Sequence, residues 1–165
     1  MYKPDNFTAD SKNSAKIFDT VKPILEQYFG GDIYSTENHD SQIDTILDCK
    51  CGIDAVVDTD KVVFGIAHRV KYNYYTDFTI RMYRPNYKTE IDHMRQSGFK
   101  PRYHVQTVCV NNKPVAIAIA KSMDLLYAID NGLATIKTTY NGCKFAVLDW
   151  NKLIKNDIPV DIIKL

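Results

Sequence analysis

Gly52-Ile53-Asp54-Ala55-Val56-Val57, followed by Val62-Val63-Phe64-Gly65-Ile66-Ala67-His68-Arg69-Val70, reads as two β-branched strands joined by a turn at Asp58-Thr59-Asp60. Side chains alternate along a strand, so Ala67 and Arg69 share one face while His68 and Val70 share the other. A carboxylate, Asp54, opens the first strand, and a permanent cation, Arg69, lies on the second. Such a pair suits phosphodiester hydrolysis. The carboxylate holds a divalent cation, the cation activates water, and a guanidinium steadies the charge that develops on the phosphoryl oxygens. Alternation also offers a plainly structural role, in which Asp54 and Arg69 are the solvent-facing residues of a hairpin.

Upstream of this hairpin, Ile17, Phe18, Val21, Leu25, Tyr28 and Phe29 recur at three- and four-residue spacing. That predicts an amphipathic helix capped at Asp10 or Ser11 and stopped by Gly30-Gly31, with a kink or a late start at Pro23. Residues 32–42 read as a loop with a short strand at Ile33-Tyr34, and Ile43 to Leu47 as a further strand. Downstream, Phe78 to Tyr83 alternates as a half-buried strand, and Thr89 to Gln96 is a short helix closed by Gly98. Tyr103 to Val110 and Pro114 to Ala120 pair across Asn111-Asn112. A helix from Met123 to Ile129 follows the cap Ser122, then strands over Ala134–Thr139 and Lys144–Leu148, and a helical turn from Trp150 to Ile154. No linker interrupts the pattern. Strands interspersed with isolated helices predict a single domain over residues 1–165 of the α+β (mixed α/β) class, a central mixed sheet flanked by helices.

With 165 residues, 45% of them hydrophobic, the chain can close a sizeable core without staples. Its longest apolar run, Val115 to Ala120, is far short of the roughly 20 residues that span a bilayer. The N-terminus lacks the apolar segment of a signal peptide, and Cys49, Cys51, Cys109 and Cys143 form no CxxC pair. A reduced, cytoplasmic protein without membrane contact is the expectation. Net charge is only +1, but it is unevenly spread. Residues 1–60 hold 5 Lys/Arg against 12 Asp/Glu, whereas residues 61–103 hold 9 against 3. The basic block also carries six of the eleven tyrosines. Cations interleaved with aromatics suit a phosphate backbone with bases stacked beside it, and equally a solvated basic face.

Taken together, these residues resemble the PD-(D/E)xK nuclease superfamily in its restriction-endonuclease-like form. The likeness rests on the leading helix, the Ile-Asp-Ala-Val and Gly-Ile-Ala-His-Arg-Val hairpin and the helix after it, and covers roughly residues 11–121. Gly52 through Asp54, Arg69, Asp77-Phe78-Thr79-Ile80-Arg81 and Thr89-Glu90 also look like small phage-encoded proteins of uncharacterised role. The resemblance implies Asp54 as the first acid of the motif and puts Arg69 in the lysine position, while Ala67 stands where the second acid belongs. It offers Glu90 on the following helix, and Glu26 on the leading helix, as further ligands for Mg²⁺ or Mn²⁺. Arginine keeps the charge of lysine but not its proton chemistry, since its pKa exceeds about 12. Lys71, Arg81 and Arg84 would then hold the nucleic-acid backbone. A homodimer, able to cut both strands of a duplex, is also implied.

Two other readings stay open. Ala67 favours a catalytically inactive nucleic-acid-binding module on the same fold. The acidic first third favours a protein-interaction module that binds a host or phage enzyme. Other chemistries find little support. Cys49-x-Cys51 with His39 offers too few ligands, at the wrong spacing, for structural zinc. Walker and GxGxxG loops are absent, as is any nucleophile elbow.

Overall fold

The computed structural model describes residues 4–165, with side chains from Lys12 onward. In chain order its elements are α1 (Pro4–Phe29), β1 (Gly31–Ser35), α2 (Gln42–Cys51), β2 (Ala55–Thr59), β3 (Val63–Lys71), β4 (Asp77–Tyr83) and α3 (Glu90–Arg95). There follow β5 (Pro101–Val110), β6 (Lys113–Lys121), α4 (Ser122–Asp130), β7 (Thr135–Thr138), β8 (Lys144–Asp149), α5 (Trp150–Lys155) and β9 (Asp161–Lys164). The mixed α+β class expected from the sequence is what is found. Six strands form a mixed sheet in the order β1-β2-β3-β5-β6-β9, in which β3 and β5 run parallel and every other pair antiparallel. A second, three-stranded antiparallel sheet, β4-β8-β7, was not foreseen as separate.

The six-stranded sheet is covered on both faces. On one lies α1, whose Phe18, Val21 and Leu25 pack against Ile33, Ala55, Val57, Ile66, Val105 and Ile117. On the other, Val108, Ala116, Ala118 and Ala120 meet α3, α4 and the second sheet through Met94, Leu125, Phe78 and Leu148. The run of alanines on β6 lets these elements approach closely, and Trp150 and Leu153 close the far end. No helix among the described residues is long and apolar enough to cross a membrane.

Several local expectations change. α1 does not start late at Pro23; it begins before Asp10 and continues as helix through the proline. The helix forgoes one backbone hydrogen bond there, but Val21 and Leu25 on either side are completely buried, and that packing holds it. Ile43 to Leu47 is helical rather than extended. Ser41 caps α2 by accepting from the Asp44 N–H at 3.1 Å, and Gly52, at φ 66°, ends it. Ser122 is the first residue of α4 rather than its cap, and β9 has no counterpart in the sequence reading.

Gly65 lies at a register shift between β3 and β5, and a Cβ there would stand 2.6 Å from the side chain of buried Ile53. Gly65→Ala is expected to cost about 1–3 kcal/mol of stability, read as a lower urea midpoint.

Candidate active site

A cleft of about 290 Å³ opens on the face of β3 and β5 that is turned away from α1. Strand register builds its floor. Ala67 pairs with His104 and Arg69 with Gln106 across the parallel β3–β5 ladder, so these four side chains lie together. Ile66, His68, Val105 and Thr107 alternate to the α1 face, where His68 packs on Phe18 and hydrogen-bonds the Thr107 hydroxyl at 2.9 Å. Burial pulls the His68 pKa down to about 4, which keeps it neutral.

Asp54 stands at the mouth of β2 with its backbone held from both sides. Its N–H donates to the Ile66 carbonyl and its carbonyl accepts from the Thr36 N–H, each at 2.9 Å. Its carboxylate Oδ2 accepts the His68 N–H at 2.7 Å. Burial pushes the Asp54 pKa well above the ordinary carboxylate range, and the charges of Glu37, Asp48 and Glu90 push in the same direction against the His68 hydrogen bond. Asp54 is a desolvated acid among acids, an arrangement that a divalent cation relieves.

Glu90, the first residue of α3, reaches the same cleft. The helix start that carries it is set by a capping box between Thr89 and Asp92. One Glu90 oxygen pairs with the Arg69 guanidinium, and the other accepts the backbone N–H of Arg81 at 2.7 Å. His104 is buried, shares a 2.8 Å hydrogen bond with Ser122, and has its pKa lowered to about 4, mainly by burial and further by Arg69.

Asp54, Arg69, Glu90 and Arg81 are therefore brought together, and the other expected residues are not. Glu26 lies on α1, across the sheet, where it accepts the Ile33 N–H at 3.1 Å and sits 3.7 Å from Lys22. The helix packs its apolar stripe on the opposite face, and so Glu26 cannot join a ligand set with Asp54. Lys71 pairs with Asp77 beside Tyr75, outside the cleft, and Arg84 stacks on Tyr87 at 4.5 Å. Further residues join the site. Asp48 of α2 lines the cleft, and the buried Gln106 Nε2 and His93 Nδ1 have no hydrogen-bond partner among the described residues. Arg81 Nε is in the same condition. His104 and Gln106, two apart on β5 with apolar Val105 between them, are the sequence signal that would have found that strand's polar face.

The chain matches no protein-family model, no curated protein and no solved structure.

Two outcomes follow from this geometry. Glu90→Ala strips the acceptor from both Arg69 and the Arg81 N–H, and stability is expected to fall by about 1–3 kcal/mol in urea unfolding. For Asp54, the folded state keeps its proton to higher pH than the unfolded chain. Stability from this group is complete below the unfolded pKa and is lost as pH rises through the raised folded one. Asp54→Asn, which still offers an oxygen to the His68 N–H, should remove that loss and be more stable than the parent at pH 7 but not at pH 3. Paired urea titrations of the two proteins at both pH values read the difference, so the opposite slope from the neutral histidines cancels.

Proposed function

We propose that this chain is a restriction-endonuclease-like domain that binds nucleic acid and hydrolyses a phosphodiester with Mg²⁺ or Mn²⁺. One observation carries the proposal: the acid at the head of β2, the guanidinium on neighbouring β3 and the acid that begins α3 share a single cleft. The element order supports it, since a leading helix, the hairpin and the following helix stand in the order the resemblance implies.

The donor set fits a hard cation. Magnesium takes oxygen ligands, keeps several waters, and needs only one or two carboxylates from the protein. Asp54 spends Oδ2 on the His68 N–H, which leaves Oδ1 for the metal, and Asp48 is the second cleft acid with oxygen to offer. When bound, the ion would supply a water of lowered pKa and polarise a phosphoryl oxygen.

The chain's own residues account for the rest. Arg69 carries a charge that no accessible pH removes, and Glu90 orients it across the cleft. Ala67, beside it on the strand, takes up little room and leaves space for a phosphate. Gln106 Nε2 and Arg81 Nε are buried donors without acceptors, a costly condition that phosphate oxygens would relieve. His104, held neutral, adds no competing charge.

A second reading, an inactive nucleic-acid-binding module, draws on Ala67 and on Glu90, both of whose oxygens are already engaged. Labelled single- and double-stranded DNA and RNA, titrated with Mg²⁺ or Mn²⁺, separate the two. The expected result is metal-dependent cleavage that falls at least about a thousandfold in Asp54→Asn with affinity retained, while Arg69→Ala loses both cleavage and about one unit of salt slope. Binding without cleavage would establish the second reading, and neither activity would overturn both.

A further inference from the structure

We infer a second metal site, of different chemistry, at the outer rim of the cleft: a Zn²⁺ site formed by His39, Asp48 and Cys49. These residues offer one nitrogen, one carboxylate oxygen and one sulfur, and the three atoms all lie within 4.8 Å of one another. His39 Nε2 is already 2.5 Å from Asp48 Oδ2. A tetrahedral zinc with bonds of about 2.0–2.3 Å places its ligand atoms about 3.3–3.8 Å apart, so side-chain rotations of an ångström or so close the set.

The way the segment is built argues that this meeting is specified. Thr36 anchors the start of the loop, donating its hydroxyl to the Ile53 carbonyl at 2.5 Å, and Ser41 anchors its end as the cap of α2. Between those anchors His39 adopts φ 53°, a left-handed conformation that costs a residue bearing a side chain. The imidazole that results is set against α2, a helix with no buried residue of its own. The contact is polar, made through the His39–Asp48 hydrogen bond, and with the Cys49 sulfur within 4.8 Å a shared cation would take the place of that bond.

The helical form of α2 is also what makes the set possible. With 42–51 as a helix, Cys51 lines an apolar groove with Ile43 and Leu47, and Asp48 takes the place beside His39 that Cys51 would have needed. Imidazole with thiolate selects zinc over magnesium, whose preference is for oxygen alone. The Cys49 thiol gives up its proton to solvent as the metal binds. A water, or Glu37 two residues before His39, completes the fourth position. The site shares Asp48 with the carboxylates offered above for magnesium, whereas His39 and Cys49 belong to it alone, and those two residues test it separately.

The test uses the full chain under reducing conditions with Mg²⁺ in excess. Co²⁺ serves as spectroscopic probe, and Zn²⁺ affinity is measured against a chromophoric chelator. The expected result is stoichiometric Zn²⁺ binding and a thiolate-to-cobalt charge-transfer band that Zn²⁺ abolishes. The band should vanish in Cys49→Ser and persist in Cys51→Ser and Cys143→Ser, and His39→Ala should weaken Zn²⁺ binding at least about tenfold. All four positions are outside the buried core, and unchanged circular dichroism would show that each variant folds. Asp54→Asn, which ends the proposed cleavage, should bind Zn²⁺ like the parent, so failure of one proposal leaves the other standing. A band that survives Cys49→Ser, or equal Zn²⁺ affinity in His39→Ala and the parent, overturns the site.

Discussion

Glu90 is the joint on which the site depends. Its carboxylate takes the guanidinium of Arg69 from the six-stranded sheet and the backbone N–H of Arg81 from the three-stranded one, while its own backbone starts α3. Two sheets and a helix thereby meet at one carboxylate, and the Lys71–Asp77 pair is a second polar tie between the same two sheets. Much of the rest of their interface is apolar. Charge-assisted hydrogen bonds are directional where hydrophobic contact is not, so register at the cleft is set by Glu90 and stability by the core behind it. An acid in this position has two competing uses, since every donor it holds weakens it as a metal ligand.

That competition explains why Asp54 matters more than its neighbours. Its backbone is bonded to Thr36 on one side and Ile66 on the other, so it cannot retreat from the cleft when its charge becomes costly. The fold thus holds a poorly solvated acid beside Asp48 and Glu90, and the cost is carried by the large apolar cluster on the α1 face. A site that is unfavourable for the fold alone marks a place where a ligand contributes.

Much of this was legible in the sequence, and the misses have physical causes. The hairpin carrying Asp54 and Arg69 could be read because a two-residue alternation and a polar turn leave few alternatives. A short helix over Thr89–Gln96 was read as well, and α3 fills most of it, from Glu90 to Arg95 with Thr89 as its cap. Ile43, Thr45 and Ile46 suggest a strand because they are β-branched, whereas the three- and four-residue spacing of Ile43, Ile46 and Leu47 and the boundaries at Ser41 and Gly52 decide for a helix. Glu26 could not be excluded from sequence at all. Which face of a sheet a helix covers is a property of the packed molecule, and α1 covers the face opposite the cleft. Gln106 was hidden by the same route, since its importance lies in standing beside Arg69 across a parallel ladder from a strand 35 or more residues away in the chain.

The uneven charge of the chain also takes on a different meaning once folded. Residues 61–103 hold nine cations, which in an extended reading suggests a broad basic surface for a polyanion. In the fold, three of them are paired, Arg69 with Glu90, Lys71 with Asp77 and Arg95 with Asp130, while Arg84 and Arg102 keep their charge over aromatic rings and Lys88 lines the cleft. Paired cations contribute little to the long-range field that draws nucleic acid to a protein without regard to sequence. Attraction of that kind is therefore less than the nine cations alone suggest, and the net charge of the chain is only +1. What remains is short-range: buried donors without acceptors at Gln106 and Arg81, a fixed guanidinium, and acids that favour a metal. On the proposed function, recognition would depend on a substrate that fits the cleft and satisfies those donors, with surface charge adding to it.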